Sequence, residues 1–179
     1  MLRDHTLTKI DGTETTLAEF DGSVLLIVNV ASKCGLTPQY TALEALHTQM
    51  RDRGFSVLGF PANNFGAQEP GTNEEIVEFC TTNFGVDFPM FSKISVVGDD
   101  KHPLYDELTT VAPRAEGDPD GFRETLKGYN MNPNDDPEIL WNFEKFLVGK
   151  DGQVVKRFAP TVTPDDPMVI EAIEAELAK

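Results

Sequence analysis

Val24-Leu25-Leu26-Ile27-Val28-Asn29-Val30-Ala31-Ser32-Lys33-Cys34-Gly35-Leu36-Thr37-Pro38-Gln39-Tyr40 is the stretch that decides the fold. Its first seven residues are apolar apart from Asn29, and that length suits a buried strand. A short polar turn follows. Thr37 and Pro38 then read as the N-cap and first residue of a helix. Cys34 is thereby delivered to the positive end of a helix, beside Lys33, a setting for a reactive rather than a structural cysteine.

Working outward, residues 7–17 read as a β-hairpin around Asp11-Gly12. The helix after Cys34 runs from about Pro38 to Arg53, with Tyr40, Leu43, Leu46 and Met50 at helical spacing and Gly54 as its stop. Phe55 to Phe60 forms the next strand, and a loop rich in Gly, Asn and Pro leads to Thr72. Thr72 and Glu75 make a capping box for a helix carrying Ile76, Val77, Phe79 and Cys80. Phe88-Pro89-Met90-Phe91 leads into a further strand, and Pro103 to Val111 forms a short helix. Residues 112–138 hold many prolines, glycines and acids and read as a surface insertion. Strands at 143–148 and 154–158 and a helix from Pro164 close the chain. Strands alternating with helices predict an α/β sheet covered on both faces, with ligands at the carboxyl ends of its strands. Cys34 follows one such end, and the Asn63–Gln68 loop follows another.

The 179 residues suit one domain, 1–179, with a core of its own. Thirty acidic residues against 15 basic ones give a net charge of −15, which disfavours binding to nucleic acid or anionic lipid. Neither a secretory signal nor a spanning segment is recognisable, so a cytoplasmic, monomeric protein is expected. Two cysteines are too few for a disulfide scaffold and, in a reducing compartment, point to chemistry. The histidines His5, His47 and His102 are scattered, and no zinc spacing emerges. Neither a metal nor a cofactor is expected.

Three blocks carry a resemblance. Asn29 to Gly35, Gly59 to Gly71 (Gly-Phe-Pro-Ala-Asn-Asn-Phe-Gly-Ala-Gln-Glu-Pro-Gly) and Trp141 to Val148 (Trp-Asn-Phe-Glu-Lys-Phe-Leu-Val) resemble the signature blocks of the glutathione peroxidase family, in the family's order. The similarity is strongest to its bacterial cysteine-containing, thioredoxin-dependent branch. The resemblance implies a thioredoxin fold: an N-terminal hairpin and a central mixed sheet with helices on both faces. It places Cys34 at the peroxidatic position and Gln68, Trp141 and Asn142 at the other positions of a catalytic tetrad. Neutral amide and indole donors stabilise a thiolate and a departing oxygen without titrating near neutral pH. Taken singly, Trp141 reads as core, and Gln68 and Asn142 as turn or strand-end residues. Asn63 and Asn64 are expected to shape their loop.

By the same resemblance, Cys80 occupies the resolving position of thioredoxin-dependent members, although a buried helix cysteine is a common fate for this residue type. Ala62 stands where many relatives carry a third cysteine, and Thr37 stands where thioredoxin's Cys-x-x-Cys has its second cysteine. The implied activity is reduction of hydrogen peroxide and organic hydroperoxides through a Cys34 sulfenic acid and a Cys34–Cys80 disulfide, with thioredoxin as reductant. Alternatives are a glutathione-dependent peroxidase that makes no use of Cys80, and a peroxide sensor that passes its oxidation to a client protein.

Overall fold

The computed structural model describes residues 1–179. Its centre is a four-stranded mixed sheet in the order β4-β3-β5-β6. Strand β3 (Val24–Val30) pairs in parallel with β4 (Phe55–Pro61) and antiparallel with β5 (Lys145–Val148), which pairs antiparallel with β6 (Val154–Phe158). All residues of β3 and β4 are buried, as central strands with both faces covered require.

Side chains alternate across the pleat. Val24, Leu26, Val28 and Val30 meet one core, into which α1 (Gln39–Met50), α2 (Asn73–Phe84) and α5 (Pro167–Leu177) also project. Leu25 and Ile27 meet the other core, completed by α3 (Pro103–Val111) and by Leu2, Leu7 and Leu17 from the N-terminal segment. The hairpin forms as expected but is short: β1 (Leu7–Thr8) pairs with β2 (Glu14–Thr15) across Gly12, whose φ is +93°.

Four sequence expectations are corrected. Helix α1 begins at Gln39 rather than Pro38, because the Thr37 hydroxyl is used elsewhere. Helix α5 begins at Pro167, capped by the Asp166 side chain, rather than at Pro164. No strand follows Phe88-Pro89-Met90-Phe91; Met90 bridges Gly59 and Phe91 bridges Lys9, each as an isolated pair. A Cβ at position 59 would collide with the Met90 sulfur, so a glycine there is required for that bridge.

The insertion at 112–138 is also not irregular: it contains α4 (Pro119–Gly128). Before that helix, Glu116 bridges Phe158 and covers the outer edge of β6. Both ends of the insertion are tied to Arg157, which donates to the carbonyls of Ala112, Pro137 and Glu138 and pairs with Glu144 in the interior.

Candidate active site

Beyond β3 the backbone reverses through successive turns from Cys34 to Pro38. Thr37 holds this loop: its hydroxyl donates to Ala31 O at 2.8 Å and accepts the Cys34 N–H at 3.0 Å. The Leu36 N–H donates to Cys34 Sγ at 3.3 Å. The sulfur therefore receives a backbone donor in the turn that leads into α1. Cys34 is 8% exposed, between the exposed Lys33 and Gly35. It is covered, yet at the surface.

The second segment comes off β4. Gly66 (φ +65°) and Ala67 (φ +52°) form a left-handed pair directly before Gln68. A non-glycine residue in that region costs about 1–3 kcal/mol and tends to occur where function needs it. Asn63 accepts the Glu69 N–H at 2.9 Å, and Asn64 bonds Ser95 and Val96, so both shape the loop as expected. The Lys33 N–H donates to Gln68 O at 3.0 Å, clamping this loop to the Cys34 loop.

The third segment precedes β5. Asn29, fully buried on β3, donates its side-chain amide to Trp141 O at 3.1 Å and accepts the Phe143 N–H on its own carbonyl at 2.7 Å. Phe143 has φ +67°, a second strained position beside a tetrad residue. Asn142, fully buried, donates Nδ2 to Gln68 Oε1 at 2.9 Å. That bond leaves the Gln68 amide N–H₂ without a protein acceptor. The half-buried Trp141 ring leans against Phe65 at 5.5 Å. Cys34, Gln68, Trp141 and Asn142 thus come from three segments cross-linked to one another by hydrogen bonds.

Cys80 is carried by α2 and shares the core on that face of the sheet with Cys34. Both cysteines are free thiols. Helix α2 is held at its start by the Thr72–Glu75 capping box and ends at Gly85 in the left-handed conformation. Of its twelve residues Ile76 and Cys80 are buried, and the half-buried Phe79 and Phe84 pack against the same core, Phe84 stacking on Tyr40 at 5.3 Å. Burial pushes the Cys80 thiol up to about 11. The Tyr40 hydroxyl, buried and without a well-formed hydrogen bond, faces that thiol. Glu69, 1% exposed, adds its charge to the same region. Burial raises the Glu69 carboxyl above its ordinary range, against the opposing pull of Ser32, Lys93 and Lys33. The histidines serve elsewhere: His47 accepts the Val57 N–H, His5 meets Glu107, and His102 accepts the Leu104 N–H.

Comparison with known proteins identifies the family. The family model described as glutathione peroxidase matches residues 2–109. The chain belongs to the glutathione peroxidase family. It is 57% identical to thioredoxin/glutathione peroxidase BtuE of Escherichia coli (strain K12), over 95% of this chain and 93% of that one. Among solved structures it resembles Trgpx in its apo form, with 32% identity, a TM-score of 0.73, and coverage of 99% of this chain and 96% of that one. A thiol:disulfide interchange protein of the thioredoxin family from Chlorobium tepidum shares the fold at 13% identity and a TM-score of 0.59, covering 96% and 92% of the two chains. The expected thioredoxin fold is therefore observed, and the protein is a peroxidase of the glutathione peroxidase family.

Sequence reasoning missed three residues that build this glutathione peroxidase site. Asn29 looked like an interruption of an apolar strand, and its isolation there was the available signal. Thr37 looked like a helix cap. Glu69 looked like loop polarity, and nothing local distinguishes it from a solvated carboxylate.

Proposed function

We propose that Cys34 is the peroxidatic nucleophile and that Gln68, Trp141 and Asn142 orient and stabilise its reaction. Cys34 Sγ attacks one peroxide oxygen and the O–O bond breaks. The other oxygen leaves with a proton as water or alcohol, and Cys34 becomes a sulfenic acid. The hydrogen bond from Asn142 to Gln68 carries this reading. It fixes the Gln68 carboxamide and leaves its N–H₂ to donate toward the reacting oxygen.

Cys80 then resolves the sulfenic acid: its sulfur bonds Cys34, hydroxide leaves as water with the thiol's proton, and a disulfide forms. The placement of Cys80 on a twelve-residue helix supports this role, because a disulfide needs the two Cα atoms within about 7 Å and a short helix can adjust to reach it. A reduced thioredoxin, oxidised in turn, returns both thiols. The Escherichia coli relative's name admits both thioredoxin and glutathione as reductants, and the buried second cysteine favours thioredoxin. A cytoplasmic, monomeric enzyme acting on hydrogen peroxide and organic hydroperoxides completes the proposal.

The test is NADPH consumption with hydrogen peroxide, run in parallel with the thioredoxin and glutathione systems. Turnover with thioredoxin is expected. Turnover with glutathione alone would return Cys80 to a structural role. Oxidation of Cys34 without turnover in either system would favour a sensor that passes the disulfide to a client.

A further inference from the structure

The insertion returns to the catalytic face after α4. The Met131 N–H bonds Leu126 O at 3.1 Å, and Asn130, with φ +60°, turns the chain. Arg123 donates to Asn134 O at 3.0 Å and pairs with Asp120 and Asp136, while the Asn134 amide donates to Ile139 O at 3.0 Å. These bonds hold residues 131–134 as a wall opposite Phe65 and Trp141. Between them lies a cleft of about 310 Å³ whose apolar lining is Phe65, Val97, Met131, Pro133, Leu140 and Trp141.

Three observations select its occupant. Trp141 links the cleft to the site: it forms one wall, and Phe65, 5.5 Å from its ring, stands on the loop that ends at Gln68. Its volume is at the lower end of the range for small-molecule sites, about 300–1,000 Å³, enough for one compact organic group and too small for a diacyl lipid. Neither Lys nor Arg lines it, and the chain carries −15, so an anionic tail has nothing to pair with.

We propose that this cleft receives the organic group of a neutral alkyl or aryl hydroperoxide while its O–O bond meets Cys34. This rests on the peroxidase chemistry above and assigns the insertion a part in substrate choice. The bonds made and broken are those already given, and the organic group leaves as its alcohol.

The test measures the second-order rate of Cys34 oxidation in single turnover with cumene hydroperoxide and with hydrogen peroxide. Met131→Asp, which sets a carboxylate into the cleft at a half-exposed position, is expected to slow the cumene hydroperoxide reaction about tenfold. The hydrogen peroxide rate should hold within about twofold, well short of the loss expected from one apolar contact. Met131→Leu should keep both rates. Equal losses for the two peroxides, or no loss for either, would overturn the assignment. Unchanged peroxide rates with slower re-reduction by thioredoxin would give the cleft to the reductant and overturn it too. Failure of the unaltered protein to react with hydrogen peroxide would instead remove the peroxidase reading and this assignment together.

Discussion

Asn142 and Gln68, 74 positions apart, meet through a 2.9 Å hydrogen bond in which the Asn amide donates and the Gln carbonyl accepts. Its direction matters, because it occupies the Gln68 carbonyl and leaves the N–H₂ free of a protein acceptor. Asn142→Ala should slow Cys34 oxidation by about 10²-fold, the scale of losing one preorganised donor. Gln68→Ala should do the same. The double variant should be little slower than either single one, because the two side chains act as a unit. Stopped-flow oxidation rates for the set provide the check, and additive losses would contradict the shared role.

The proposed cycle gives the two thiols separable roles. Cys34→Ser should abolish turnover with every peroxide. Cys80→Ser should allow one oxidation per chain and block thioredoxin-driven cycling. Mass spectrometry should then find a sulfenic acid trapped on Cys34 by dimedone. Undiminished cycling in Cys80→Ser would remove that residue from the mechanism.

Docking of α2 opposes disulfide formation, since Cys80 is buried beneath it with its thiol pushed up to about 11. At pH 8, alkylation of Cys80 should be slow, limited by opening of the helix, and should quicken as pH approaches 11. Thr72→Ala removes one half of the capping box and should destabilise the helix by about 1 kcal/mol. It should therefore quicken both Cys80 alkylation and the step from sulfenic acid to disulfide, by about fivefold. A disulfide step insensitive to the cap would mean that Cys80 reaches Cys34 without unwinding α2.

Arg157 and Glu144 form an interior ion pair, and Arg157 also holds the insertion's ends through three carbonyls. Arg157→Met should cost about 3–5 kcal/mol, because Glu144 is left charged and unpaired in the core. Limited proteolysis should then cut within 112–138 before the sheet is lost. Resistance equal to that of the unaltered protein would show that the insertion is held by other contacts.

Lys145 is fully buried, donates to Pro160 O at 3.0 Å, and is brought down by burial to about 7 from 10.5. Below pH 7 it is charged in both the folded and unfolded chains, and the folded state carries the burial penalty. From pH 7 to 10.5 the unfolded chain binds the extra proton, so this residue's contribution to stability increases with pH through that window and is lost as pH falls through 7. Lys145→Met should flatten that part of the denaturation profile and gain most at pH 6. An unchanged pH profile would place the ammonium in contact with water.

Much of the architecture was legible because the decisive signals are local. An apolar run broken only by Asn29 gave β3, Thr72 with Glu75 gave the start of α2, and Pro103 gave α3 to the residue. The expectations that failed concerned residues whose hydrogen-bond partners residue type does not announce. Thr37 has the composition of a cap, yet its hydroxyl is taken by Ala31 O and the Cys34 N–H. Met90 and Phe91 look like strand, but only short stretches of Gly59 and Lys9 are free to pair with them. The insertion reads as loop because its order comes from Arg114, Arg123 and Arg157 reaching across it, and ion pairs leave no periodicity. The proposed tetrad positions were legible through family blocks, whereas the burial of Asn29 and Glu69 is something residue type alone does not announce.

Trp141 is the chain's single tryptophan, and it stands at the reacting face rather than in the sheet. All of the indole light this protein emits therefore originates within its site. A heat or denaturant titration followed by that emission reports the loss of one face, while far-ultraviolet circular dichroism reports the strands and helices. Two curves that separate would display the site opening ahead of the fold. Peroxide added to the unlabelled protein should announce each redox state of Cys34 as a change of brightness.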